Sequence, residues 1–208
     1  FSRMFAARTC MMAGVGLTGV FLWYLVRFWV YGKAVVLTSA PLTIPAGFLI
    51  AGMAVATLIG AALASWAAGP ISERIEEKNI PVARVVAGAC LLYAIGLGLA
   101  WGLGVWSTGT ARENGMLLFA LISGFAFGVY DSLGLELVMD SLPDPRRAGH
   151  DLGIYALANS AGLALAAIIG ALLVNAFEHS FGYYLLFPSA IVMVLLAGIV
   201  TLTTKSAE

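Results

Sequence analysis

Three carboxylates lie at the end of an apolar segment in the middle of a chain that is otherwise poor in charge. Asp131, Glu136 and Asp140 follow a run that begins near Met116. A charge at the centre of a bilayer costs about 2.5–3.5 kcal/mol on insertion scales. Leu or Ala would pack better at position 131. Asp131 is therefore either a proton, cation or solute site facing a wet cavity, or an Asp bonded to a neighbouring helix.

Helix geometry separates the three carboxylates by depth and direction. If Asp140 marks the inner end of its helix, Asp131 lies about 13 Å deeper, near the midplane, and Glu136 about 6 Å deep. Asp131 points roughly 140° away from Glu136, whereas Glu136 and Asp140 share a face. We expect Glu136 and Asp140 to organise the cytoplasmic end, solvated or paired with Arg146 or Arg147.

Other polar and aromatic side chains are candidates for the same site. Asn159 lies about 12 Å from an inner helix end at Asp151, on the same face as Tyr155, and Tyr130 adjoins Asp131. Asn159 either belongs to the site or bonds across helices as packing.

A second aromatic group lies towards the outer end of the first apolar segment. Its members, Trp23, Tyr24 and Arg27, fit an aromatic belt with a snorkelling Arg, or contacts to a ring or sugar of a substrate.

The composition places these residues in lipid. The 208-residue chain is 61% hydrophobic and 11% charged, against about a quarter charged in soluble domains. The net charge is zero without a basic block, which argues against nucleic-acid binding. Cys10 and Cys90 lie in apolar segments and resemble buried hydrophobes, and His150 and His179 lie far apart in loops. No metal or cofactor is expected.

Six segments are long enough to cross a membrane as helices, which need about 20 apolar residues each. They are roughly 9–31, 43–68, 82–106, 115–140, 150–177 and 181–203. Strand-like alternation is absent, so an all-α membrane protein with one bundle over residues 1–208 is predicted.

The basic residues predict the orientation of these spans, with both termini in the cytoplasm. Three basic residues lie at the outer ends, Arg27, Lys33 and Arg112. Eight lie at the inner ends: Arg3, Arg8, Arg74, Lys78, Arg84, Arg146, Arg147 and Lys205.

Small residues recur every four positions in the second and fifth spans. The ladders are Gly52, Ala56, Gly60 and Ala64, then Ala158, Gly162, Ala166 and Gly170. Residues at this spacing share a helix face and allow another backbone to approach closely. Two ladders three spans apart indicate two three-helix units that cross the membrane in opposite senses, the inverted-repeat arrangement of secondary transporters.

Two motifs resemble the major facilitator superfamily. The stretch GPISERIEEK at 69–78, read as a loop, is similar to the family's signature G-x-x-x-D-R-x-G-R-[RK]. Gly69, Glu73, Arg74 and Lys78 match it, while Glu76 and Glu77 replace Gly and Arg. The match implies a role in gating at the cytoplasmic side, where Glu73 would lie near a helix dipole.

The second motif, at 130–153, is similar to the connection between the tenth and eleventh helices of members related to sugar–cation symporters. The family's mid-motif Asp corresponds to Gly134, with acids at Asp131 and Glu136 instead. The matching residues are Tyr130, Ser132, Leu137, Asp140, Leu142, Pro143, Gly149, Asp151, Leu152 and Gly153.

The resemblance implies the C-terminal half of a twelve-helix transporter, with the six spans as helices seven to twelve. The first and fourth spans would line the central cavity, and the two ladder helices would face the missing N-terminal six-helix half. The first residue, Phe1, also indicates a fragment or processed piece.

The function expected from these features is secondary active transport of a small solute by alternating access, coupled to protons or another cation. The membrane is expected to be the bacterial inner membrane. The alternative is a membrane assembly or scaffold protein that keeps the fold without transport. An intramembrane enzyme is not expected, because there is no H-E-x-x-H motif and no in-membrane His near Ser132. Primary ATP-driven transport is not expected either, because there is no Walker loop.

Overall fold

The computed structural model describes residues 1–30, 44–106, 110–140, 148–177 and 179–203, which form helices without strands. The first span begins as α1, breaks at Val20 and Phe21, and continues through a short helix and a π-helical segment. The elements are α1 (Ser2–Gly19), α2 (Leu22–Tyr24), the π segment (Leu25–Val30), α3 (Ile44–Glu77), α4 (Val82–Trp106), α5 (Thr110–Asp140), α6 (Ala148–Ala176) and α7 (His179–Leu202).

Within these ranges six helical segments are long and apolar enough to cross a membrane. They are Ser2–Arg27, Ala46–Glu77, Val82–Trp106, Thr110–Met139, Gly149–Ala176 and Gly182–Leu202. The expectation of an all-α membrane protein with six spans is confirmed.

The helices differ most from the expected spans at ends that carry charged residues. The first helix begins at Ser2 rather than near residue 9, so Arg8, counted above among the cytoplasmic charges, lies inside the span. The second continues through Pro70 to Glu77, so most of the stretch read as a loop is helical. Good helix formers in this stretch outweigh the breaks suggested by Gly and Pro.

The end of α3 has a hydrogen-bond pattern that explains why the helix stops there. Asn79 has a φ of 47°, in the left-handed region that Asn tolerates. The Ile80 N–H donates to the Ile75 carbonyl at 3.0 Å, and the Asn79 N–H donates to Glu76 at 3.2 Å. This is the Schellman pattern, which satisfies the last carbonyls of a helix.

Four helices form the centre of the bundle and two lie at its edge. α1 packs on α6 and α7, α5 packs on α3 and α4, and α4 also packs on α7. The spans in α3 and α6 are each only 22% buried, against 39–50% for the other four. Arg3 donates to the Thr203 carbonyl, so the start of α1 and the end of α7 lie at the same end of the bundle.

The ladder of α3 is packed against α5 at close range. A Cβ at Gly60 would lie 2.3 Å from the Leu121 carbonyl oxygen, and one at Gly124 would lie 2.2 Å from the Thr57 oxygen. Gly128 of α5 faces Ala64, the next ladder residue, where a Cβ would be 2.6 Å from the Ala64 Cβ. Only small residues permit this backbone approach.

The ladder of α6 is packed against α1 in the same way. A Cβ at Gly162 would lie 2.7 Å from the Thr9 oxygen, and Gly16 of α1 faces Ala166. Gly170 faces the Phe21 ring. Ala158, which begins this ladder, is fully buried. Both ladders therefore lie inside this bundle. The opposite faces of α3 and α6 are exposed, so the expectation that these two helices face a missing half stays a prediction.

We predict that Gly60→Ala lowers the free energy of unfolding by about 1–3 kcal/mol, because the added methyl group forces the α3 and α5 backbones apart. Thermal unfolding of the purified protein in detergent measures the effect. Gly98→Ala in α4 is the matched control, since a Cβ there meets nothing within 4 Å. The control is expected to be neutral or to stabilise by up to about 1 kcal/mol. Equal effects of the two substitutions would contradict the close crossing.

Candidate functional site

The centre of the candidate site is an arginine on the first helix. Arg8 lies two turns into α1 and is buried. Its Nη1 donates to Asp131 Oδ1 at 2.6 Å, and its Nε donates to Asn159 Oδ1 at 2.7 Å. The three side chains come from α1, α5 and α6. They form a charged, hydrogen-bonded cluster within the membrane-spanning part of the bundle.

Aromatic rings surround the guanidinium on its other sides. Its Cζ lies 5.6 Å from the Phe127 ring centre, 5.7 Å from that of Tyr130 and 5.8 Å from that of Tyr155. A cation near a ring face gains about 0.5–2 kcal/mol when it is removed from water. These contacts hold the guanidinium in one position without using further hydrogen-bond donors.

The two charges of the pair differ strongly in exposure. The Arg8 side chain is 10% exposed, whereas the Asp131 side chain is 55% exposed. The guanidinium is thus part of the protein interior, whereas the Asp131 carboxylate is exposed at the surface of the bundle. Because the pair has no net charge, placing the two residues within a membrane span costs less than placing either charge there alone.

Sequence reasoning identified four of these residues and missed two. The structure brings together the candidates Asp131, Asn159, Tyr130 and Tyr155. Arg8 was counted as a cytoplasmic charge, and Phe127 was not considered. The signal for Arg8 was present in the sequence: Met4 to Ala7 before it are mostly apolar, as are the residues after it.

The outer aromatic group does not join the site. Tyr24 lies sixteen residues after Arg8 and stacks on Tyr183 of α7, with ring centres 6.0 Å apart. Trp23 is half-buried beside it, and Arg27 lies in the π segment. Their position favours the aromatic-belt interpretation over contact with a solute at Asp131.

The candidates expected at the cytoplasmic end are spread over the ends of three helices. Gly69, Glu73, Arg74 and Lys78 are exposed along the last turns of α3 and just beyond it. Glu136 is exposed on α5, and Asp151 lies 3.4 Å from the His150 ring. The Asp140 side chain, Arg146 and Arg147 lie outside the described residues, so the expected pairing of the inner carboxylates stays a prediction.

A cavity of about 260 Å³ lies further along the first span and α5, between these and α3, α4 and α7. Its wall is mostly apolar and includes Val15, Leu22, Ile50, Met116 and Phe119. Three hydroxyls also line the cavity, and each donates to a backbone carbonyl of its own helix. They belong to Thr18, Thr57 and Ser123. The cavity therefore suits an apolar group.

We predict that Arg8 and Asn159 are energetically coupled, because a hydrogen bond to a charged group contributes about 1.5–3 kcal/mol. A double-mutant cycle with Arg8→Gln and Asn159→Ala, followed by thermal unfolding, measures the coupling. Arg84→Gln with Asn159→Ala is the control cycle and is expected to be additive within about 0.5 kcal/mol. Additivity in the first cycle as well would contradict the hydrogen bond.

Comparison with known proteins gives one match. The family model described as Major Facilitator Superfamily matches residues 45–208, which include Asp131 and Asn159 but not Arg8. The chain matches no curated protein and no solved structure. The match covers most of the chain and agrees with its six membrane-length helices. The chain belongs to the Major Facilitator Superfamily, a family of transporters.

Proposed function

We propose that this protein is a secondary active transporter that moves a small solute by alternating access, with coupling to protons or another cation at Asp131. The observation that carries the proposal is the ion pair between buried Arg8 and half-exposed Asp131. Ionisable residues within membrane spans are expensive and mark solute or ion pathways. Their placement on α1 and α5 agrees with the expectation that the first and fourth spans line the cavity.

The pair offers a physical basis for coupling. The charge of Asp131 can be balanced by the Arg8 guanidinium, or by a proton or cation that reaches the exposed side of the carboxylate. When a solute binds Arg8 in place of Asp131, the Asp131 carboxylate loses its partner. Its affinity for a proton or cation then increases. Solute binding and ion binding would then strengthen each other, which is the thermodynamic requirement for symport.

The exposed faces of α3 and α6 support a second six-helix half. Each carries large apolar side chains that the bundle leaves exposed: Phe48, Leu58 and Trp66 are 70–80% exposed on α3, and Leu157 and Leu172 are 61–63% exposed on α6. These surfaces need lipid or protein cover. In the proposed whole transporter this chain supplies one wall of the cavity, and the second half supplies the other.

The distribution of basic residues supports an orientation with both termini in the cytoplasm of a bacterial cell. Arg3, Arg74 and Lys78 lie at one end of the bundle, and Arg112 lies at the start of α5, at the opposite end. Removing Arg8 from the count leaves the positive-inside bias unchanged in direction.

We predict that Asp131→Asn abolishes gradient-driven accumulation but not exchange, because a neutral amide cannot take up a proton or cation. The test uses the full native gene product in proteoliposomes. A panel of labelled sugars, amino acids, carboxylates and amines is offered with and without a pH or sodium gradient. The variant should lose at least about tenfold in accumulation, equivalent to about 1.4 kcal/mol. Glu113→Gln, at a carboxylate in the first turn of α5 outside the candidate site, is the matched control and should accumulate solute normally.

The same assay separates transport from the scaffold alternative. If wild-type protein moves no solute in the panel, or if Asp131→Asn and Arg8→Gln both leave uptake unchanged, the proposed role of this site is wrong. The assembly or scaffold function would then be favoured.

A further inference from the structure

We infer that the solute is an organic acid with an apolar body, whose carboxylate binds Arg8 and whose body occupies the apolar cavity between α1, α3 and α5. This inference rests on the proposed function and names the substrate class for the same site.

The guanidinium of Arg8 has donors to spare. It carries five N–H donors, and the structure assigns Nε to Asn159 and Nη1 to Asp131. None of the other residues that the structure describes accepts from the remaining donors. A planar guanidinium matches the two oxygens of a carboxylate, with short and strong hydrogen bonds.

The guanidinium is also held ready for a ligand. Asn159 and the three rings fix its position, so little side-chain freedom is lost when an oxyanion binds. Asp131 is the more easily displaced partner, because its side chain is half-exposed and its one assigned hydrogen bond is to Arg8. A solute carboxylate that reaches the exposed side of Asp131 competes with it for the Arg8 Nη1–H donor.

The charges at the site disfavour the other solute classes. A cationic solute at the empty site would be repelled by the Arg8 guanidinium, whose Nη1 lies 2.6 Å from the Asp131 carboxylate oxygen. A neutral carbonyl can accept hydrogen bonds from the spare donors, but only an ionised carboxylate combines two parallel hydrogen bonds with an opposite charge. An anion is therefore favoured over a neutral or a cationic solute.

The apolar cavity accepts the rest of such a molecule. Its volume of about 260 Å³ exceeds the engineered apolar cavity of about 150 Å³ that binds benzene in another protein. It is open at exposed residues of α3, including Ala54 and Thr57. An aromatic ring or a short branched chain would fill it.

The cavity and Arg8 lie at a distance that one small molecule can span. Val15, in the cavity wall, follows Arg8 by seven residues, and Phe127, beside the guanidinium, follows Ala120 of the wall by seven. Seven residues are two helical turns, about 10.5 Å, and return to nearly the same face.

The charge balance agrees with coupling to one proton. With solute bound, two carboxylates share the single guanidinium. The phenols of Tyr130 and Tyr155 also lie beside the Arg8 guanidinium and contribute no formal charge to this balance. One proton on either carboxylate restores the neutrality of the empty site.

The test is calorimetric titration of the full native gene product in nanodiscs with 4-phenylbutyrate, its neutral amide 4-phenylbutyramide, and acetate. We expect the acid to bind at least about tenfold more tightly than the amide and than acetate. Arg8→Gln should abolish the preference for the acid, and Arg8→Lys should restore part of it. Asp131→Asn should strengthen binding of the acid, because the competing carboxylate is removed. Ala54→Phe should weaken binding of 4-phenylbutyrate until its affinity approaches that of acetate. Arg84→Gln is the control.

The outcomes separate this inference from the proposed function. If the amide binds as tightly as the acid and both are lost in Arg8→Gln, the site binds solutes but does not select anions, and only the inference is overturned. If the acid does not bind wild-type protein at about 1 mM, the substrate class is wrong. If the acid binds equally to wild type and Arg8→Gln, the Arg8 site is wrong and the proposed function loses its main support. Thermal unfolding of each variant identifies any that fail to fold.

Discussion

The arrangement of the helices around the site depends on the pairing of one buried positive charge with one carboxylate. An arginine removed from water needs an opposite charge and hydrogen-bond acceptors, because an uncompensated buried charge is strongly destabilising. Arg8 obtains both from residues 123 and 151 positions away, Asp131 and Asn159. The pair therefore fixes α1, α5 and α6 against one another, and a shift of one turn in any of them would break it.

The small-residue crossings bring these helices close enough for the cluster to form. Gly162 lies on the Thr9 backbone, next to Arg8, and Asn159 is three residues before Gly162 on α6. The close approach at Gly162 thus sets the position from which Asn159 reaches the guanidinium. The ladder that sequence reasoning treated as packing alone is in this way part of the support of the site.

Hydropathy predicted the number of spans, because crossing lipid requires long apolar helices whatever their partners are. It failed at the charged ends, where Arg8 and the 69–77 stretch of α3 continue the helices. A charge enters a span only if a partner compensates it, and the partner of Arg8 is remote in sequence. Asp131 could be found because its residue type and depth are anomalous by themselves. Arg8 was interpreted as a flanking charge, although the apolar residues on both sides of it indicate a position inside the span. The ladders showed that a close contact exists without showing which helix makes it.

The pattern of helix pairing among the described residues is largely, but not fully, symmetric under the exchange that the expected inverted repeat requires, because α6 packs on α7 whereas α3 and α4 make no comparable contact. Exchanging spans one to three with spans four to six replaces α1, α3 and α4 by α5, α6 and α7, and the reverse. The pairing of α3 with α5 then becomes that of α6 with α1. The pairing of α4 with α5 becomes that of α7 with α1, and α4 with α7 is unchanged. Under this exchange Arg8 and Asp131 lie on corresponding helices, the first of each unit. The two charges therefore meet at the junction of the units, where any movement of one unit against the other would change the distance between them. A site of this kind is sensitive to the conformation of the whole bundle, because binding to either charge alters the interaction that joins the two units.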